Sequence, residues 1–384
     1  MHVNAVLALL GLATLGGAKP VTLSGRLSAG NNKFGIDLVR LLSVKGDKNL
    51  LVSPISLTTN LQLLLAGTQG VARVELERAL HVGEIKNPVL VKGVKALTSS
   101  FDTSEGSKVE IANSIWLSPK LTIKPAFATL AKDGFGARAT QLKALGAPGA
   151  AEINSWVNEK TKGRIPTLVS SLDALTRVVL VNAVTFDGKW KSPFIKDHTS
   201  PRPFHGTKGT KNTDTMSQSG QFAVGKSGNV RLIQIPYQGH TSMLIALPDM
   251  GGDPAKAAQS FQRLPKLDPS RVELQLPKFT FRDEHQLNSS LQDLGISQVF
   301  QEADFSTISS NPQLNHVSEV IQKTFVKVDE EGTEAAAATG VIISAKAIIV
   351  QPQAVQFHVD HPFAFAIRDD QTGTLLFIGV VKNL

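Results

Sequence analysis

Gly220 to Ser227 (Gly-Gln-Phe-Ala-Val-Gly-Lys-Ser) carries the spacing of a phosphate-binding loop, two glycines five apart and then Lys and Ser. That chemistry needs the loop to leave a buried strand and open a helix, whose N-terminal amides then cradle phosphate. Here Met216-Ser217-Gln218-Ser219 precedes the match, while Gly228-Asn229 and another strand-like run follow it, so a β-hairpin is expected and no helix at Ser227. His358, Asp360 and His361 are of metal-ligating types. In extended chain, residues three apart face opposite sides, so a packed or surface pair is expected of the histidines. The chain has no cysteine, which removes thiolate nucleophiles, thiolate zinc sites and disulfides together. Neither a G-x-S-x-G elbow nor H-E-x-x-H occurs. A carboxylate pair for glycoside hydrolysis would leave no linear signature, because its members meet only in three dimensions. No catalytic residue is assigned.

One segment differs in kind. Asp329-Glu330-Glu331 leads through Gly332, Thr333 and Glu334 into four alanines, Ala335, Ala336, Ala337 and Ala338, followed by Thr339 and Gly340. An apolar run then extends from Val341 to Val350, and Lys346 is the only charged residue between Ala335 and Val359. Alanines alone favour a helix, but Gly332 before them and the β-branched residues after them oppose one. A disordered linker conflicts with Val341 to Ile343 and Ala347 to Val350, which are prone to aggregate if left exposed. A surface loop that later becomes a strand inside an existing sheet reconciles these facts. In such a strand Thr333, Ala335, Ala337, Thr339, Val341 and Ile343 would face the core. They are small first and larger only later, so the first residues to enter meet little steric resistance. Glu334 falls on the outward register, and Gly332 gives the turning point freedom.

The remaining elements must supply that sheet. Phe34 to Leu42 has apolar residues three and four apart, and Leu57 to Ala66 is nearly all apolar after Ser53-Pro54, with Ser56 available as an N-cap. Residues 109–117 alternate like a strand, Ile153 to Lys162 reads as a helix ending at Gly163, and the Val-rich run Arg177 to Phe186 reads as a central strand. Beyond residue 200 short β-branched runs dominate: Arg231 to Tyr237, Ser242 to Leu247, Val272 to Leu276, Phe363 to Ile367 and Leu375 to Val381, with a helical piece at Gln286 to Leu294. Strands and helices mixed without strict alternation indicate an α+β fold in one large domain.

Composition sets the bounds. The 384 residues are 42% hydrophobic and 19% charged, too apolar for a disordered chain. No apolar stretch reaches the roughly 18 to 20 residues of a membrane span. A net charge of +8 is spread thinly, which gives a mild attraction to polyanions and no specific nucleic-acid reading. Ala5 to Leu15 is an apolar run of 11 residues followed by Gly16-Gly17-Ala18, the small-x-small pattern of a leader cleavage site. Residues 1–18 are therefore expected to be a signal peptide, residues 19–384 the mature domain, and the protein secreted to the extracellular space. Asn288-Ser289-Ser290 is a glycosylation sequon compatible with that route.

The sequence resembles the serpins across almost the whole mature chain. The run Glu330 to Thr339 looks like their inhibitory hinge, and further matches follow in family order. They are Ser53-Pro54 with Ser56, Asn154 with Trp156-Val157, Thr161 with Gly163 and Ile165, and Leu180 to Ala183 with Phe186, Gly188 and Trp190. Ile235-Pro236-Tyr237, Ser242-Met243-Leu244, Pro277-Lys278-Phe279, Ala303-Asp304-Phe305-Ser306 and His361-Pro362-Phe363 with Phe365 complete the series. The resemblance implies a single domain with three β-sheets, about nine helices and an exposed reactive-centre loop at about 330–356. It also implies a monomeric suicide inhibitor of extracellular serine proteases. The protease attacks the loop, forms an acyl-enzyme, and is dragged away as the cleaved loop enters the main sheet.

By the same resemblance the scissile bond follows the fourteenth residue after the hinge glycine, Lys346–Ala347. Lys in that position suits the acidic primary pocket of trypsin-like proteases. The loop looks somewhat longer than usual before Phe363, which could move the bond toward Ile348 and favour chymotrypsin- or elastase-like targets. A non-inhibitory carrier, storage protein or chaperone is the other reading, and the small residues of the hinge argue against it. The resemblance also implies a buried polar cluster of Ser53, Ser56, Asn182 and Gln322, with Gln322 where the family commonly has histidine, and Ala72 stands where Thr is common. No cofactor is expected. Lys86, Lys92 and Lys95 lie where some family members bind heparin-like glycosaminoglycans, but spacings of six and three form no single stripe, so a solvated face is expected.

Overall fold

The Val-rich run marked as a central strand forms β4 (Val178–Lys189), and a six-stranded sheet is built around it. The computed structural model describes residues 22–44, 46–101, 106–333 and 353–384. On one side β4 pairs antiparallel with β2 (Ser107–Leu117), which pairs in parallel with β3 (Arg138–Gln141). On the other side it pairs in parallel with β11 (Glu319–Val328), itself antiparallel to β10 (Phe279–Gln286). The β4–β11 ladder runs only from Val179 with Glu319 to Thr185 with Phe325. Beyond it the two strands part, and the two-residue β12 (Gly332–Thr333) lies between them, antiparallel to both.

Nine further strands form a second hydrogen-bonded array. Its first half is β1 (Leu50–Val52), β15 (Leu375–Val381), β14 (Phe363–Asp369), β8 (Thr241–Pro248) and β7 (Val230–Pro236). The long β6 (Gly209–Ser227) joins this to β9 (Asp268–Pro277), β13 (Val355–His358) and β5 (Ser200–Gly206). Because β6 pairs with β7 only through its last five residues and with β9 and β5 along the rest, the array is two sheets sharing one strand. With the six-stranded sheet this makes three, and the fold is α+β.

Eight α-helices surround the sheets among the described residues: α1 (Leu23–Ser43), α2 (Pro54–Gly67), α3 (Gly70–Ala79), α4 (Asn87–Thr98), α5 (Pro125–Thr129), α6 (Gly146–Lys160), α7 (Pro254–Ala257) and α8 (Asn288–Asp293). None is long and apolar enough to cross a membrane. The period of two along β4 sorts its side chains between two cores. Val178, Leu180, Val184 and Phe186 join the main core, while Val179, Val181 and Ala183 meet Ile153 and Val157 of α6 on the opposite face.

Two expectations are corrected. Helix α2 starts at Pro54 with Ser53 as its N-cap residue, so Ser56 lies inside the helix and caps nothing. Proline at the first helical position fixes a helical φ and lacks only an amide that would have been unpaired there. Helix α6 starts at Gly146, seven residues before the apolar periodicity.

Candidate functional site

The hinge begins where β11 ends. Between Asp329 and Gly332 the chain turns back on itself, with the Asp329 amide donating to the Gly332 carbonyl at 2.9 Å. Gly332 has φ +152°, and a Cβ there would lie 2.0 Å from the Gly188 carbonyl oxygen, so only glycine fits between β4 and β11. Thr333, fully buried, follows it with backbone partners Gly188 on β4 and Val328 on β11. Its Oγ1 lies 2.7 Å from the hydroxyl of Tyr237. Tyr237 stacks on Trp190 at 4.3 Å between ring centroids, and the Trp190 indole donates to the Asp329 carbonyl at 2.9 Å. Backbone amides of Trp190 and Phe194 donate to the carbonyls of Glu331 and Glu330, completing a grip on the whole turn.

Charge fixes the same turn. The buried Glu330 carboxylate accepts from Lys278 Nζ at 3.0 Å and from Thr199 Oγ1 at 2.8 Å. Burial opposes its ionisation, but hydrogen bonds from its own backbone, Lys278 and Thr199, with the Lys278 charge, hold the carboxyl below the usual range. Glu331 accepts from Lys196 at 2.9 Å, and that pairing raises the Lys196 ammonium. Burial pushes the Tyr237 phenol above its ordinary range, against the lowering effect of its bond to Thr333, so the ring stays a neutral hydrogen-bonding partner.

Lower in the sheet, where β4 and β11 still touch, a buried polar cluster bridges them. Gln322 and Asn182 are direct partners across the parallel ladder, and Gln322 Nε2 donates to Asn182 Oδ1. The Gln322 side chain also bonds the backbone of Ser53 in both directions, at 3.1 Å from the amide and 3.0 Å to the carbonyl. Asn182 Nδ2 donates to Ser56 Oγ and to Asn113 Oδ1. The Ser53 hydroxyl reaches the Leu376 carbonyl at 2.7 Å. Every member is buried and hydrogen-bonded, as a polar cluster at this depth requires.

A short strand already lodged between two parallel strands, above a polar cluster that links them, is the geometry of a sheet that can admit one more strand. The family model described as serpin (serine protease inhibitor) matches residues 29–384. The chain belongs to the serpin family. An uncharacterized serpin-like protein of Thermococcus kodakarensis is 34% identical over 92% of this chain and 84% of its own. The leukocyte elastase inhibitor of Sus scrofa is 33% identical over 93% of this chain and 99% of its own. Among solved structures, Serpin48 of the insect Tenebrio molitor superposes with a TM-score of 0.84 at 30% identity, covering 96% of this chain and all of that one. This serpin is thus an inhibitor-family protein and not an enzyme.

The expected serpin residues fall in two groups. Ser53, Ser56, Asn182 and Gln322 come together as described, and Glu330, Glu331, Gly332 and Thr333 form the turn. Glu334, Ala335 to Thr339, Lys346 and Ala347 lie outside the described residues. Asn288 spends both side-chain atoms on β11 and its approach, donating to the Ser318 carbonyl at 2.7 Å and accepting from the Val320 amide at 2.9 Å. Asn113, Lys278 and Thr199 were missed by sequence reading. Asn113 pairs in register with Asn182 across β2 and β4, a relation visible only once the strands are paired, whereas Lys278 and Tyr237 stand in the quoted motifs without an assigned role. The phosphate-loop match falls in the last part of β6, whose Ser227 pairs with Val230 in a hairpin. His361 is engaged by protein on both sides, with Nδ1 2.6 Å from Asp360 and Nε2 2.7 Å from the Pro248 carbonyl.

Proposed function

We propose that this serpin is a suicide inhibitor of serine proteases that traps its target by inserting the cleaved loop between β4 and β11. The observation that carries the reading is Thr333, already paired with both strands. Insertion would replace one parallel ladder, the less stable kind, by two antiparallel ones, and that exchange is a source of stored free energy. The register supports it. Six residues beyond Thr333 is Thr339, and six residues back along the two flanking strands from Gly188 and Val328 are Asn182 and Gln322. A strand continued in register would set the Thr339 hydroxyl between those two amides as they separate, so neither would be left without a partner.

For the target, the Lys346–Ala347 bond supports a trypsin-like protease, because Lys346 is the sole basic residue of the loop. A second reading is an elastase- or chymotrypsin-like target with cleavage nearer Ile348, favoured by the relatives named leukocyte elastase inhibitor. Residues 1–18 support secretion and hence an extracellular target. The test is incubation with trypsin, elastase and chymotrypsin, then denaturing gels and sequencing of the released C-terminal peptide. A complex that survives denaturation is expected, with a peptide beginning at Ala347; a peptide beginning elsewhere reassigns the specificity. Thr333→Arg is expected to leave a cleaved substrate and no complex, and undiminished complex formation would contradict insertion.

A further inference from the structure

We propose that Tyr237 is a positioning residue for trapping, whose hydroxyl holds the hinge threaded so that insertion begins by elongation and not by nucleation. The inference rests on the function proposed above and names the residue that sets where the strand starts.

Tyr237 is the only tyrosine of the chain, and it is buried at the turn between β7 and β8, where its backbone bridges to Trp190 just past the end of β4. Its ring reaches the six-stranded sheet over Gly188, where a Cβ would meet the Tyr237 ring at 3.1 Å and the Phe186 ring at 2.6 Å. Stacking on Trp190 and an edge contact with Phe186 at 5.1 Å between centroids leave the ring a single position. The hydroxyl then has one described partner, Thr333 Oγ1 at 2.7 Å. Neither group faces water, so each supplies the other's hydrogen bond.

The consequence is kinetic. Joining a strand to a sheet costs most at its first residues, which lose conformational freedom before further contacts compensate. With Thr333 paired on both sides, that step is complete before any protease arrives. Where a protease engaging the loop pulls on the hinge, the hydroxyl contact opposes withdrawal and favours the threaded form. The fraction threaded multiplies the rate at which insertion competes with hydrolysis of the acyl-enzyme.

Tyr237→Phe removes the hydroxyl and keeps the stack, and Thr333→Val removes the other partner at nearly constant volume. In the intact full-length protein, hydrogen exchange at the Gly332 and Thr333 amides is expected to rise about fivefold in Tyr237→Phe, the usual weight of one hydrogen bond. Incubated with whichever of trypsin, elastase or chymotrypsin the wild type traps, the variant is expected to be consumed several-fold more per protease trapped, at an unchanged rate of loop cleavage. Thr333→Val should do the same, and the double variant should be no worse than either single one. A merely structural tyrosine would lower the melting temperature and leave that partition unmoved, which overturns the proposal. So would single effects that multiply in the double variant. A wild type that traps none of the three overturns the function itself.

Discussion

At Glu330 burial and pairing pull in opposite directions, and pairing prevails. Its carboxyl is held below the ordinary range in the folded protein, so the stability it contributes is present above the unfolded pKa and lost as pH falls through the lowered folded value. Glu330→Gln keeps the shape, removes the charge facing Lys278, and is expected to cost about 1–3 kcal/mol at neutral pH. Denaturant titration should show that cost shrinking as the pH is lowered through the carboxylate range, and a pH-independent difference would assign the loss to shape alone. Asn288 is a second test at this scale. Asn288→Ala leaves the Ser318 carbonyl and Val320 amide without their partner and is expected to cost about 1–3 kcal/mol in the same titration. Because a glycan on Nδ2 would have to displace the bond to Ser318, the protein from a glycosylating host is expected to show no glycan mass at Asn288.

The slot between β4 and β11 belongs to the scale of elements. Their register makes Thr339→Val informative: insertion would then bring a methyl group to Asn182 and Gln322. The expected result is a loop-cleaved form about 1–3 kcal/mol less stable than cleaved wild type, with the intact form unchanged, read by denaturant titration of both. Equal effects on both forms would contradict the register. How much of this was legible in the sequence differs element by element. Strands β4, β14 and β15 were read close to their bounds because runs of Val, Ile, Phe and Leu satisfy either face of a buried sheet, and β2 because its residues alternate. The start of α6 was not, because Gly146-Ala147-Pro148-Gly149 reads as a turn, whereas proline in the first turn leaves no required donor unmade. Small residues and parity pointed to the hinge, of which Glu330 to Thr333 form the observed turn, while Glu334 to Thr339 lie outside the described residues. The roles of Asn113, Lys278 and Tyr237 could not be read, since each acts across a sheet pairing or between sheets, and no local pattern encodes such distances.

For the whole molecule, the proposed inhibition requires that the intact fold not be the lowest free-energy arrangement of its own chain. Its most central strand contact, β4 with β11, is the parallel pair that insertion would replace, and the reversal that starts replacement is complete at Thr333. If insertion occurs as proposed, such a protein is held by kinetics and not by equilibrium alone. Hydroxyl, ion pair and glycine all gather at the turn where the first two residues would enter, while the polar cluster bridges β4 and β11 further down the slot. Comparing the melting temperature of the intact protein with that of the same protein after a single cut in the loop tests this most directly. For a chain of 384 residues, ~1.2 °C accompanies each kcal/mol, so a release of ~10 kcal/mol corresponds to a rise of ~12 °C. A cleaved form that melts far above the intact one is the predicted result; equal melting temperatures would mean that no strand had been added and would contradict the account.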